Sequence, residues 1–284
     1  MNFEKRPLPA GIHLVGVPIG TARDITLRAL DTLASADALA AEDTRSLRKL
    51  MDIHGVPLDG RRITALHDHS GAGAVDALIA RAREGSVAYA SEAGMPLIAD
   101  PGFELVRAAR SAGVAVTCAP GPSAVTTALA LAGLATDAFF FAGFLPSAKG
   151  PRRAALEAQQ TIPATLVFYE SPKRLDKMLA DAAEILGGAR RVVVCRELTK
   201  RFEEVRSGTL GALAAELKGT AVKGEICVLI DRDSGKIKEI DFESDLIEAL
   251  KTMSVRDAVD MVAASHALAR RKVYQVALRL AKDC

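Results

Sequence analysis

Short apolar runs alternate along the first half of the chain with segments whose apolar residues recur at helical spacing. Residues 12–17 predict a strand, Pro18-Ile19-Gly20 the turn that leaves it, and Leu27, Leu30 and Leu33 a helix. Further buried strands are predicted over 38–41, 63–66, 87–90 and 114–118, with helices over 74–83 and 104–112 between them. Strand, loop and helix in repeated order predict parallel strands joined by crossover helices, the α/β class.

The pattern continues past a break. Phe139-Phe140-Phe141 predicts another buried strand, after which residues 145–153 turn polar and basic and carry Pro146, Gly150 and Pro151. A domain boundary is placed there. A second α/β unit follows, with strands over 165–169, 191–195 and 226–230 and helices over 174–186 and 210–217. Residues 231–242 are charged and short of large apolar side chains, so they read as a linker. Residues 246–282 are helix-patterned throughout, and Ser254-Val255-Arg256-Asp257 has the form of a helix start. The chain therefore divides into an N-terminal α/β domain (1–145), a second α/β domain (146–231) and a small C-terminal helical domain (244–284).

Composition narrows the class of function. The 284 residues include 37 basic and 35 acidic ones, a net charge of +2, which excludes a chain-wide basic coat for nucleic acid but permits a local patch. Cys118, Cys195, Cys227 and Cys284 are scattered, so neither a zinc cage nor a disulfide framework is signalled. Residues 111–136 carry no charge, but Pro120-Gly121-Pro122 breaks them into halves too short for the ~20 apolar residues a membrane span needs. Residues 1–9 are mixed in character and contain proline, unlike a secretory leader. A soluble cytoplasmic protein is the expectation.

In an open parallel sheet, ligands gather beyond the carboxyl ends of the strands. The loops that converge there are 18–21, 42–45, 67–70, 91–96 with Asp100-Pro101-Gly102, and 120–123. The common fingerprints are absent: there is no G-x-G-x-x-G, no P-loop and no G-x-S-x-G elbow. His67 and His69 could approach a metal together, but no third ligand stands at recognisable spacing, so no metal is expected.

The same loops carry a resemblance. Val17-Pro18-Ile19-Gly20, Ala41-Glu42-Asp43-Thr44-Arg45, Leu66-His67-Asp68-His69, Ser91-Glu92-Ala93-Gly94-Met95-Pro96 with Asp100-Pro101-Gly102, and Pro120-Gly121-Pro122-Ser123-Ala124 occur in this order. Gly143-Phe144-Leu145-Pro146, Phe168-Tyr169-Glu170-Ser171-Pro172, Arg196-Glu197-Leu198-Thr199-Lys200 and Lys223-Gly224-Glu225 follow them. Over residues 10–231 the series resembles the small-subunit ribosomal RNA methyltransferase I family, ribose 2′-O-methyltransferases built on the tetrapyrrole methylase fold. The tail resembles the helical domain of the same proteins. Two departures stand out: Glu92 and Met95 replace the Asp and Thr of the family's Ser-Asp-Ala-Gly-Thr-Pro, and Met95 loses a hydroxyl. Thr21 and Ser70 replace asparagines and keep small polar side chains.

The resemblance implies S-adenosyl-L-methionine held between the two α/β domains, a cytidine of small-subunit ribosomal RNA as acceptor, and a homodimer without membrane association. Carried over motif by motif, the cofactor residues are Pro18, Ser91, Ala93, Gly94, Pro96, Asp100, Ser123 and Ala124, and on the second domain Phe168, Tyr169, Leu210, Gly224 and Glu225. A ribose hydroxyl is a poor nucleophile, so a base that takes its proton is expected. Asp43, His67 and Glu170 are the catalytic candidates, with Asp100 also at a strand end. Glu42, Arg45 and His69 are candidates for handling RNA, alongside Arg48 and Lys49. So are Lys149, Arg152 and Arg153 at the boundary, and Arg270, Arg271 and Lys272 in the tail. From residue 251 onward the tail carries seven basic residues against three acidic. Two alternatives stay open at this level: a tetrapyrrole or other small-molecule methylase, and a cofactor-binding RNA assembly factor without turnover.

Overall fold

The computed structural model describes residues 3–67, 70–232, 242–266 and 270–280. In the first sheet, β1 (Gly11–Val15), β2 (Ala38–Ala41), β3 (Ile63–Ala65), β4 (Ser86–Ala90) and β5 (Val116–Ala119) run parallel in the order β3-β2-β4-β1-β5. Helices α1 (Leu27–Ser35) and α2 (Thr44–Ile53) cover one face, where Leu30, Leu33, Leu47 and Met51 pack on Val15, Leu39 and Ala88. Helices α3 (Ala72–Glu84) and α4 (Phe103–Ser111) cover the other, where Leu78, Ile79 and Leu105 pack on Ile12, Val87 and Tyr89. Burial on both faces of β1, β2 and β4 explains the near-continuous apolar runs that made these strands readable, whereas the edge strands β3 and β5 are partly exposed.

The second sheet consists of β6 (Phe139–Phe144), β7 (Thr165–Glu170), β8 (Arg191–Arg196), β9 (Glu204–Thr209) and β10 (Ile226–Ile230), ordered β6-β7-β10-β8-β9. Only β6 and β7 are parallel; the other neighbours are antiparallel. Helices α6 (Lys149–Gln159), α7 (Leu175–Leu186) and α8 (Leu210–Glu216) pack on one face. Helix α5 (Ala124–Ala132), which leaves the first sheet, covers the other through Val125, Ala128 and Leu129 against Val167, Val193 and Leu229. That packing fixes the second sheet over the loops of the first.

Two details differ from the sequence reading. The strand at 139–141 was expected to be buried and to close the first domain, but it belongs to β6, the partly exposed edge of the second sheet, paired in parallel with β7. The polar, basic stretch after it is the turn into α6 and the first residues of that helix, so the change of sheet falls between β5 and β6. Strand β9 was not anticipated, because its alternating Glu204, Arg206 and Gly208 leave it few apolar residues.

The chain separates into two compact units, Met1–Asp233 and Ser234–Cys284. Most of the proposed linker, 233–241, lies outside the described residues. The second unit contains α9 (Phe242–Leu250), α10 (Val255–Ser265) and α11 (Arg270–Leu280) around Phe242, Leu246, Val259, Val262 and Val273. Ser254 caps α10 as its sequence suggested, its Oγ accepting the Asp257 amide at 3.3 Å. Among the described residues no helix is long and apolar enough to cross a membrane.

Candidate active site

Strand order in the first sheet reverses between β1 and β4, and the loops that leave these two strands face each other there. They are tied by a short bridge: the Val17 amide donates to the Gly94 carbonyl at 2.9 Å, and the Gly94 amide returns to Val17 at 3.1 Å. The loop after β5 is pressed against both. A Cβ on Gly16 would lie 2.6 Å from the Gly121 nitrogen, so backbone meets backbone where no side chain fits. The Met95 Sδ accepts the Gly121 amide at 3.2 Å. The thioether thus takes up a donor at the position where a hydroxyl is absent. Between Gly94 and Gly102, Leu97 and Ala99 also hold positive φ angles of 72° and 60°, so the loop after β4 is tightly coiled.

A cleft of about 560 Å³ opens between these loops and the second sheet. Pro18, Ala93, Gly94, Asp100, Ser123 and Ala124 line it from the first-sheet side. From the other side come Phe144, Tyr169, Glu170, Cys195, Gly224, Glu225 and Cys227. The size falls within the ~300–1,000 Å³ usual for small-molecule sites. Tyr169 is held by edge-on contacts with Phe141 and Phe144, ring centroids 4.9 and 5.7 Å away. Burial raises its phenol well above the usual range, with the Cys227 thiol and the Asp100 and Glu225 carboxylates adding to the effect. Cys195 and Cys227 face each other across β8 and β10, and burial pushes the Cys195 thiol up to about 11.

The wall is rich in carboxylates. Glu42 accepts the Glu92 amide at 3.1 Å, and neither carboxylate forms an ion pair among the described residues. Glu197 accepts the Glu225 amide at 3.0 Å and Lys200 Nζ at 3.0 Å, and those two contacts, the amide first, hold its carboxyl below the usual range. Gly224, at φ +93°, is bare where a Cβ would lie 2.5 Å from that carboxylate. Glu170 is divided between two roles. Its Oε1 accepts the Ser171 amide at 2.6 Å and Arg174 Nε at 2.7 Å, while its buried Oε2 has no partner.

The tetrapyrrole (corrin/porphyrin) methylase model matches residues 11–214, and the RsmI C-terminal HTH domain model matches residues 239–281. The ribosomal RNA small subunit methyltransferase I of Mesorhizobium japonicum is 50% identical over 82% of this chain and 79% of its own length. The protein of the same name from Escherichia coli O157:H7 is 39% identical over 94% of each chain. The chain belongs to the ribosomal RNA small subunit methyltransferase I family. Among solved structures, diphthine synthase superposes with a TM-score of 0.61 at 19% identity, covering 78% of this chain and 89% of that one. The methyltransferase CobJ gives 0.61 at 17%, covering 79% and 95%. At that identity the likeness shows the fold alone.

Against the expectations for a member of this family, the structure places nine of the cofactor candidates on the cleft: Pro18, Ala93, Gly94, Asp100, Ser123, Ala124, Tyr169, Gly224 and Glu225. Four are elsewhere. Phe168 points to the opposite face of β7 from Tyr169 and is fully buried with Leu210 among α7 and α8. Pro96 is buried, and Ser91 lines a neighbouring groove with its Oγ on the Ala93 carbonyl at 3.3 Å. Of the catalytic candidates, Glu170 lines the cleft. Asp43 instead caps α2, accepting the Arg45 amide at 2.7 Å, and the Arg45 guanidinium holds its carboxyl below the usual range. His67 lies off the cleft wall in a turn with Ser70, whose Oγ accepts its amide at 2.9 Å.

The basic candidates divide similarly. Glu42 is on the cleft, and Arg45 is exposed at its rim in a 3.1 Å pair with Asp43. Arg152 is a correction: it is 4% exposed and bound to Asp181 at 2.7 Å, so it is not available to a phosphate. Arg153 pairs with Asp181 and Glu184. Arg270 is bound to Asp260, whereas Arg271 is exposed with no ion pair among the described residues. His69 and the Lys272 side chain lie outside the described residues. Sequence reasoning missed Lys200, Cys195 and Cys227. Lys200 stands inside a quoted motif and was readable there, but the cysteines look like ordinary core residues of β8 and β10.

Proposed function

We propose that the protein transfers a methyl group from S-adenosylmethionine to the 2′-hydroxyl of a cytidine ribose in small-subunit ribosomal RNA, acting in the cytoplasm. The observation that carries this reading is the cleft at the strand-order reversal, in a chain of this family. The residues there suit the cofactor. Ala93, Gly94 and Ala124 line the cleft with little side-chain bulk, and Glu42, Glu92 and Asp100 supply negative charge for a cation. S-adenosylmethionine supplies an electrophilic methyl on a positively charged sulfur. The chain's part is to hold the acceptor oxygen in line, which can lower a barrier by ~7–11 kcal/mol, and to receive its proton. Glu170 is the residue proposed to receive it, because it is the catalytic candidate among the cleft-lining residues and its buried Oε2 has no hydrogen-bond partner. The experiment is transfer of tritium from labelled cofactor to small ribosomal subunits isolated from cells lacking this protein. Absence of transfer, or transfer to a tetrapyrrole instead, would refute the reading.

The second unit is proposed to grip the same RNA. On α11, Arg271, Tyr274, Gln275 and Leu278 form one exposed face, and Arg271 has an uncompensated charge there. Arg271→Ala is expected to reduce the slope of log affinity for subunits against log salt by about 0.7–0.9, the loss of one phosphate contact. Arg270→Ala should do less, because Asp260 already neutralises that charge. Equal slopes for wild type and Arg271→Ala would count against the contact.

Homodimerisation is proposed on the evidence of β6. This edge strand leaves Phe139 46% and Phe140 40% exposed, aromatic area on an unpaired sheet edge. Light scattering should give twice the chain mass for the wild type and a monomer for Phe140→Lys. A monomeric wild type would end the proposal.

A further inference from the structure

The cleft does not end at its carboxylates. A side groove of about 220 Å³ shares Pro18, Gly20, Ser46 and Glu92 with it and runs on along α2 past Leu50 to Lys49 and Ile53. On the outer flank of the helix, a shallow basin is lined by Arg45, Arg48, Lys49 and Ile53. Lys49 borders both. The groove wall is pinned at its far end, where His54 Nε2 contacts the Ala22 carbonyl at 2.9 Å.

Charge along this path changes sign. At the cleft end stand Glu42 and Glu92, which repel phosphate and suit a hydroxyl or a cation. Three residues along the helix from Ser46, about 4.5 Å of rise, comes Lys49. Its two basic neighbours are engaged: Arg45 with Asp43 at 3.1 Å and Arg48 with Asp52 at 2.9 Å. Lys49 forms no hydrogen bond or ion pair among the described residues. It is therefore an uncompensated cation on the side groove that opens from the site.

We infer that Lys49 binds the RNA phosphate flanking the methylated ribose, with the strand leaving the cleft through the groove between Ser46 and Gly20. This rests on the function proposed above and names the route its substrate takes. A phosphate held there leaves the adjoining ribose on the acidic side of the lip, so one contact sets both the register of the strand and the sugar presented. Leu50 and Ile53 give the groove an apolar floor, suited to a sugar or base edge rather than a second phosphate.

The test is methyl transfer to small subunits over a range of salt concentrations, with Lys49→Ala, Lys49→Arg, Lys49→Glu and Arg48→Ala beside the wild type. Lys49→Ala should raise the KM for subunits and lower its salt slope by about 0.7–0.9, with kcat at saturating subunits and calorimetric cofactor affinity unchanged. Lys49→Arg should restore the slope, Lys49→Glu should raise KM further, and Arg48→Ala should lower the slope less than Lys49→Ala, because Asp52 already pairs with that charge. A wild-type slope and KM in Lys49→Ala overturns the phosphate site while the function stands. So does a loss of cofactor affinity in that variant without a change in slope. A wild type that transfers no methyl to subunits removes the function, and this site with it.

Discussion

Glu170→Gln is expected to slow methyl transfer by about 10²–10⁴-fold, the usual contribution of a positioned base, with cofactor affinity near wild type. The side chain is 1% exposed and one of its oxygens is committed, through Ser171 and both donating nitrogens of Arg174. A glutamine can keep that oxygen in place, since an amide carbonyl accepts the same hydrogen bonds. What it replaces is the other oxygen, buried and without a partner. There a carboxylate can take a proton, whereas an NH2 group can only donate. A buried acceptor with no donor costs about 1–3 kcal/mol, so a ligand hydroxyl that reaches it gains that stabilisation. Single-turnover transfer to subunits, with calorimetry on the same variant, separates the step from binding. An unaltered rate would reduce Glu170 to an anchor for Arg174.

Gly94→Val should abolish most cofactor binding. Gly94 has φ +73°, where a β-branched residue is a strong outlier. A Cβ would meet Ile19 Cγ2 at 3.3 Å and the Pro122 carbonyl at 3.6 Å before the valine methyls are added. Strain of this kind costs about 1–3 kcal/mol, and the loop can relieve it only by moving the backbone that faces the cleft. Since each 1.4 kcal/mol is about tenfold in affinity, a loss of roughly ten- to a hundredfold is expected. Gly94→Ala should fall between valine and wild type. Calorimetry on variants whose thermal unfolding shows them folded measures it, and wild-type affinity in the valine variant would remove the loop from the site.

How much of this was legible depends on whether a residue's partner lies close to it in sequence. The inner strands of the first sheet, β1, β2 and β4, were readable because burial on both faces makes them continuous apolar runs. The cap at Ser254 was readable because its partner is three residues away. Phe168 and Tyr169 were carried over together from one motif, yet a strand turns neighbours to opposite faces, so only Tyr169 reaches the cleft. Arg152 looked like surface charge, because nothing local announces Asp181, which comes from the next helix to bury it. β9 escaped notice because a half-exposed edge strand needs few apolar residues. The cleft loops were legible as motifs. Which of their side chains face inward was not.

The close approach of Gly16 to Gly121 has a bearing on how such a site can vary through descent. Each glycine excludes a side chain on the other, so neither position can change alone without prising apart the loops after β1 and β5. The Met95 sulfur spans the same junction by accepting the Gly121 amide, and residue 95 stands where this chain departs from the family pattern, as does residue 92. Variation can enter through a side chain laid over the junction, as Met95 is, while the two backbones in contact leave no room for a Cβ. The frame of the cleft is thus insulated from drift, and its lining is open to it.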